Sequence, residues 1–92
     1  MKIEIAITGI FKGGITRLNI AENISSSITI AQLLKKLDKE GKPEKNFFKE
    51  LLRKRTSLVI MLNGVRINIP NDLEKTLCDG DVISVLSPVA GG

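Results

Sequence analysis

Residues 78–92 read CDGDVISVLSPVAGG. Asp79-Gly80-Asp81 has turn composition, because aspartate side chains accept from nearby backbone N–H groups and glycine takes positive φ without penalty. Val82 to Leu86 follows with Ser84 as its one polar residue, which predicts a strand covered on at least part of both faces and so placed inside a sheet. Pro88 holds φ near about −65° and has no N–H to extend a ladder, so the sheet is expected to stop there. Gly91 and Gly92 then end the sequence with the residue type that is most costly to order and that buries no side chain. They do not serve stability. The expected organisation is a domain over 1–86 and a flexible tail over 87–92, and the question is what surrounds the last strand and what the tail is for.

Working outward from that strand, the chain supplies a short series of elements. Ile3, Ile5 and Ile7 alternate with polar or small residues, the period of a strand with one buried face. Gly13 and Gly14 in FKGG accept positive φ, and ITRLNI resumes strand composition, which together predict a hairpin. The period then changes to that of a helix, with Ile30, Leu33, Leu34 and Leu37 along one face. Thr29 is placed to cap this helix, Gln32 to complete a capping box, Ile28 to pack on Leu33, and Gly41 to close the helix in the left-handed conformation. Pro43 fits the first turn of a second helical segment extending towards Arg55, striped by Phe47, Phe48, Leu51 and Leu52 and basic on its other side. SLVIMLNGVRINI reads as two strands around Asn63-Gly64, a pair suited to a type I′ turn, with Pro70 ending the second strand. NDLEKTL is expected to be a turn or a short 3₁₀ connection. Two strands, two helices and three strands can share one core if the main helix lies across one face of a mixed sheet, most economically with the last strand beside the first.

Composition bounds the function. Ninety-two residues, 42% of them apolar, suit a single core, and no apolar run approaches the roughly 20 residues of a membrane span. Glu4 interrupts the apolar N-terminal stretch, which therefore does not read as a secretory signal, and a cytoplasmic location is expected. With Cys78 alone and no histidine, the chain has no internal disulfide, no zinc cluster and no Ser-His or Cys-His nucleophile pair. Catalysis of its own is not expected. Cys78 stands beside acids that disfavour a thiolate and reads as a small structural residue. Asp79, Gly80 and Asp81 offer too few ligands for a calcium loop, and no bound metal or cofactor is expected.

The opening strand and hairpin, the capped helix, the Leu62-Asn63-Gly64 hairpin and above all Cys78 to Gly92 resemble the ubiquitin-like (β-grasp) sulfur carriers of the MoaD/ThiS superfamily. The likeness is greatest to the small subunit of molybdopterin synthase, since the shorter thiamine-pathway carriers usually lack a second helical segment of the size between Pro43 and Arg55. The chain departs from that group in carrying Leu86, Ser87 and a single Pro88 where an aromatic residue and a proline pair are common. The resemblance implies an α+β fold of β-grasp type, with a mixed sheet, one main helix packed across it and a second helical segment. It implies a carrier rather than an enzyme: a ubiquitin-activating-type adenylyltransferase, using ATP and Mg²⁺, adenylates the C-terminal carboxylate, and sulfur displaces AMP to leave a thiocarboxylate. A cysteine desulfurase or rhodanese is the implied sulfur donor, and the large subunit of molybdopterin synthase the implied partner. Carried onto this sequence, Gly92 is the adenylate and thiocarboxylate acceptor, Gly91 gives clearance, and Leu86, Pro88, Val89 and Ala90 contact partners. Elementary chemistry fits these roles: a free α-carboxyl with a pKa of about 3.5 is ionised at neutral pH, and six extended residues reach roughly 20 Å.

Other readings compete. The same tail suits sulfur transfer for thiamine, cysteine or tRNA thiolation, or attachment to lysine amines as a protein modifier. From another class, residues 35–55 hold nine Lys or Arg against four Asp or Glu, a net of +5, while the remainder nets −1, a distribution that suits nucleic acid or another anionic partner. It equally suits a solvated face with Glu–Lys pairs at helical spacing. With no Trp or Tyr, and Phe47 and Phe48 on the core stripe, no base-stacking platform is apparent.

Overall fold

The computed structural model describes residues 1–11, 14–54, 58–69 and 71–87. The isoleucine alternation forms β1 (Lys2–Phe11), and Ile3, Ile5 and Ile7 are fully buried. β1 pairs antiparallel with β2 (Gly14–Asn23) from Lys2↔Asn23 to Phe11↔Gly14, which is the expected hairpin. Gly14 is the first residue of β2, where it pairs with Phe11. The expected turn glycine, Gly13, lies outside the described residues.

α1 (Ile30–Glu40) starts and stops where its local chemistry dictates. The Gln32 N–H donates to Thr29 Oγ1 at 3.1 Å and the Thr29 N–H donates back to Gln32 Oε1 at 2.9 Å, while Gly41 closes the helix at φ 77°. Ile30, Leu33, Leu34 and Leu37 form the buried face. α2 (Phe47–Lys54) begins later than expected, and Pro43 lies in the connector before it rather than in its first turn. Asp38 of α1 fixes this start. Its carboxylate accepts from the Phe48 N–H at 2.8 Å and the Lys49 N–H at 2.9 Å, two of the donors that a helix start leaves without an internal partner.

β3 (Val59–Leu62) and β4 (Val65–Arg66) flank a turn with Asn63 at φ 52° and Gly64 at φ 83°, as type I′ requires. β4 is shorter than the run to Ile69 that composition suggests. Ile67 still donates to Ile60 at 3.0 Å, but the Asn68 N–H turns to Asp72 Oδ2 at 2.8 Å, and the chain enters a 3₁₀ turn at Asn71–Glu74. β5 (Val82–Ser87) completes a five-stranded sheet of order β2-β1-β5-β3-β4. It runs parallel to β1 and antiparallel to β3, so the last strand is central and beside the first, and it extends one residue beyond the expected Leu86. Ile83 and Val85 meet Ile60, both helices and Leu73 in a single core on one face of the sheet. On the other face Val82, Ser84 and Leu86 are half-buried, so the expected cover of β5 on that side is partial. This is an α+β, β-grasp arrangement.

Candidate functional site

The point where the tail leaves the sheet is built by three strands. Leu86 lies between Thr8 of β1 and Val59 of β3, and Ser87 pairs with Gly9. By strand alternation Leu86 faces away from the helices, in a row with Val59, while Met61, Ser84 and Ala6 form the neighbouring row. All five are half-buried, leaving a largely apolar sheet face beside the root of the tail. Ile15 on the β1–β2 hairpin is 89% exposed. Of the residues assigned to the tail's chemistry and to partner contact, the structure places Leu86 at this root. Pro88, Val89, Ala90, Gly91 and Gly92 lie outside the described residues.

Gly9 is a positioning residue that sequence reading did not single out. It adopts φ 138°, a region that L side chains rarely enter, and a Cβ there would collide with the Ser87 backbone oxygen and stand 2.8 Å from the Ser87 nitrogen. The absence of a side chain lets β5 run close to β1 through the last residue before the tail. The available signal was a glycine inside a strand otherwise rich in isoleucine, a usual mark of close backbone approach.

The entry to β5 is fixed as firmly. Cys78 O accepts from the Asp81 N–H at 3.1 Å, with Gly80 at φ 86° in the third position of the turn. Asp79 Oδ1 accepts from the Lys2 N–H at 2.6 Å, and Asp81 accepts from the Cys78 N–H at 2.8 Å and from Asn63 Nδ2 at 2.9 Å. These carboxylates therefore organise a turn, as their Asp-Gly composition predicts. Asn63 also accepts from the Val82 N–H at 2.8 Å, tying the β3–β4 hairpin to the first residue of β5. Among the described residues, no group of three or more His, Cys, Asp or Glu side chains is placed to hold a metal ion, and no helix is long and apolar enough to cross a membrane.

On the helix side, Glu22 is only 6% exposed and accepts from Lys36 at 3.1 Å and Lys42 at 2.9 Å. Glu40 joins the cluster, 2.6 Å from Lys36 and 3.4 Å from Lys42. Hydrogen bonding to Glu40 and then Glu22 holds Lys36 above the ordinary lysine pKa; Glu22 does the same for Lys42, and Lys36 holds Glu40 below the ordinary carboxylate value. Two cations of the basic 35–55 region are thus engaged within the fold. Arg53 pairs with Glu50 at 2.7 Å. The Glu–Lys pairing expected of a solvated helix face accounts for part of the charge.

Comparison with known proteins agrees with this geometry. The model of the ThiS family matches residues 15–92. A chain in the solved protein–protein complex of subunits 1 and 2 of molybdopterin-converting factor from Helicobacter pylori 26695 is similar over 100% of both chains, at 30% identity and a TM-score of 0.62. No curated protein matches the chain. A central last strand with a family match that continues through residue 92, on a five-stranded β-grasp sheet, leads to one conclusion: the chain belongs to the ThiS family and is a ubiquitin-like sulfur carrier.

Proposed function

We propose that the chain carries sulfur as a thiocarboxylate on Gly92 and acts as the small subunit of molybdopterin synthase. The observation that carries this reading is the likeness, over the full length of both chains, to a chain from a complex of subunits 1 and 2 of molybdopterin-converting factor. The geometry at Leu86 supports it, because the central strand from which the tail departs is held there by Thr8 on one side and Val59 on the other.

An oxygen of the Gly92 carboxylate attacks the α-phosphorus of ATP in an adenylyltransferase of the ubiquitin-activating type, releasing pyrophosphate. The terminal sulfur of a persulfide on a desulfurase or rhodanese then attacks the acyl carbon and the C–O bond to AMP breaks, giving an acyl disulfide. A thiol reductant cleaves its S–S bond, is itself oxidised to a disulfide, and the thiocarboxylate remains. The partner supplies Mg²⁺ and the groups that neutralise the phosphates. The carrier supplies the nucleophile and its reach. Pro88 stiffens the start of the arm, and Ala90, Gly91 and Gly92 let the backbone enter a narrow channel. Leu86, with Val59 and Met61 beside it, offers the large subunit an apolar face next to the tail. Intact-protein mass spectrometry after incubation with ATP, Mg²⁺, the activating enzyme and a sulfur source should show one terminal oxygen replaced by sulfur, and pull-down from the native cells should recover the large subunit. An unchanged mass under conditions that load a known carrier overturns the thiocarboxylate reading. Recovery of a thiazole- or tRNA-modifying enzyme without the large subunit overturns the pathway assignment.

A further inference from the structure

α1 and α2 enclose an open groove of about 870 Å³ on the helix side of the molecule, away from Leu86 and the root of the tail. Its floor is apolar, formed by Ala31 and Leu34 of α1 and Phe48 and Leu52 of α2. Its rim is basic, with Lys35, Lys36 and Lys39 on one helix and Lys49 on the other. The lining holds one carboxylate, Asp38, whose two oxygens already accept from the N-terminal N–H groups of α2. Lys36 is turned to Glu22 and Glu40. Lys35, Lys39 and Lys49 are exposed and form no ion pair among the described residues. Lys35 and Lys39 are one helical turn apart and therefore on the same side of α1.

An apolar trough between two helices with unmatched cations on both banks has a complementary shape and a complementary charge. We infer that this groove docks an acidic amphipathic helix from a partner polypeptide, its apolar face seated on the half-buried Ala31 and Leu52 and its flanking carboxylates paired with Lys35, Lys39 and Lys49. A third helix laid along two others is an ordinary packing solution, and α1, at about 1.5 Å per residue, gives a bank roughly 16 Å long, enough for about three turns of a guest. Nucleic acid fits less well: Phe11, Phe47 and Phe48 are 6%, 4% and 2% exposed, so no ring is free to stack on a base. A membrane surface fits less well too, since the apolar groups lie at the bottom of a concavity behind lysines rather than on a protruding face. Because the groove and Leu86 are on opposite faces of the sheet, the guest can bind while the tail is engaged elsewhere.

The test uses the full chain and a fluorescent, amidated peptide of about 15 residues, a length at which an isolated helix is marginal in water. The peptide carries leucines along one helical face and glutamates beside them. Anisotropy should show saturable binding that weakens as salt is added. Amide shifts in the two-dimensional NMR spectrum should cluster at 31–39 and 46–52. The triple variant Lys35→Gln, Lys39→Gln, Lys49→Gln should keep its melting temperature and lose about tenfold in affinity. Ala31→Gln, which places a larger side chain on the floor, should weaken binding further, and removal of Gly91 and Gly92 should leave it unchanged. The inference is overturned by equal binding of a scrambled peptide of the same composition, by unchanged affinity in the lysine variant, or by no saturable binding up to about 1 mM. It is also overturned if a thymidine oligonucleotide or phosphatidylserine vesicles bind more tightly through the same lysines. None of these results bears on whether Gly92 forms a thiocarboxylate.

Discussion

Replacing Gly9 by alanine probes the link between the sheet and the tail. At φ 138° an L residue is strained by about 1–3 kcal/mol. The added Cβ also meets the Ser87 backbone, 2.8 Å from its nitrogen and closer to its oxygen. Neither atom can rotate away as a side chain would. The strand must separate from its neighbour, which adds about 1–3 kcal/mol by analogy with an overpacked core. The total is about 2–6 kcal/mol, a large share of the about 5–15 kcal/mol that holds a typical domain folded. Gly64→Ala is the matched control, with φ 83° but nothing within 4 Å of the new Cβ, so it should cost only the backbone strain, about 1–2 kcal/mol. Urea unfolding followed by circular dichroism gives both values. Because the displacement falls on the residue before the tail, Gly9→Ala should also slow adenylation under conditions where it remains folded. If Gly9→Ala costs no more than Gly64→Ala, the close approach of Ser87 does not constrain β5, and the proposed control of the tail's exit is wrong.

Other substitutions test separate parts of the structure. Asp38→Ala leaves the Phe48 and Lys49 N–H groups without their carboxylate and should destabilise by about 2–3 kcal/mol in urea unfolding, with Asp38→Asn intermediate; equal losses for the two variants would deny the charge a role. Deleting Gly92 should abolish activation in a pyrophosphate-release assay with little change in melting temperature, since glycine has no side chain to bury. Gly91→Val should fold normally and be activated poorly, as judged by the same assay. Glu40 is held below its ordinary pKa of 4.5, so its contribution is present above about pH 4.5 and disappears as pH falls through the lowered value. Lys36 and Lys42 are held above 10.5, so theirs is present below that pH and disappears as pH rises through the raised values. Melting temperatures across pH should therefore fall at both extremes, and Glu40→Gln should flatten the acid limb while changing the neutral value little, because these groups are exposed.

Much of this protein is written in neighbouring residues. The Thr29–Gln32 capping box, the left-handed Gly41, the Asn63-Gly64 turn and the Asp79–Asp81 turn each depend on atoms only a few positions apart, and each forms as its composition predicts. The alternation of Ile3, Ile5 and Ile7 set the inward face of β1, and the scarcity of polar residues in β5 marked it as central. The likeness to the family is carried by residues 78–92, a single contiguous stretch. The sequence left open where α2 starts, where β4 stops, why Gly9 is a glycine, and which lysines remain available. Pro43 suggested an early helix start, but the start is set by Asp38 on another helix; β4 ends because Asp72 takes the Asn68 N–H. Gly9 answers to Ser87, and Lys36 and Lys42 answer to Glu22 on a strand. Short-range hydrogen bonds and periodicity act within one element and can be read along the chain, whereas these partners meet only after the sheet and helices have packed, when distance in space no longer follows distance in sequence.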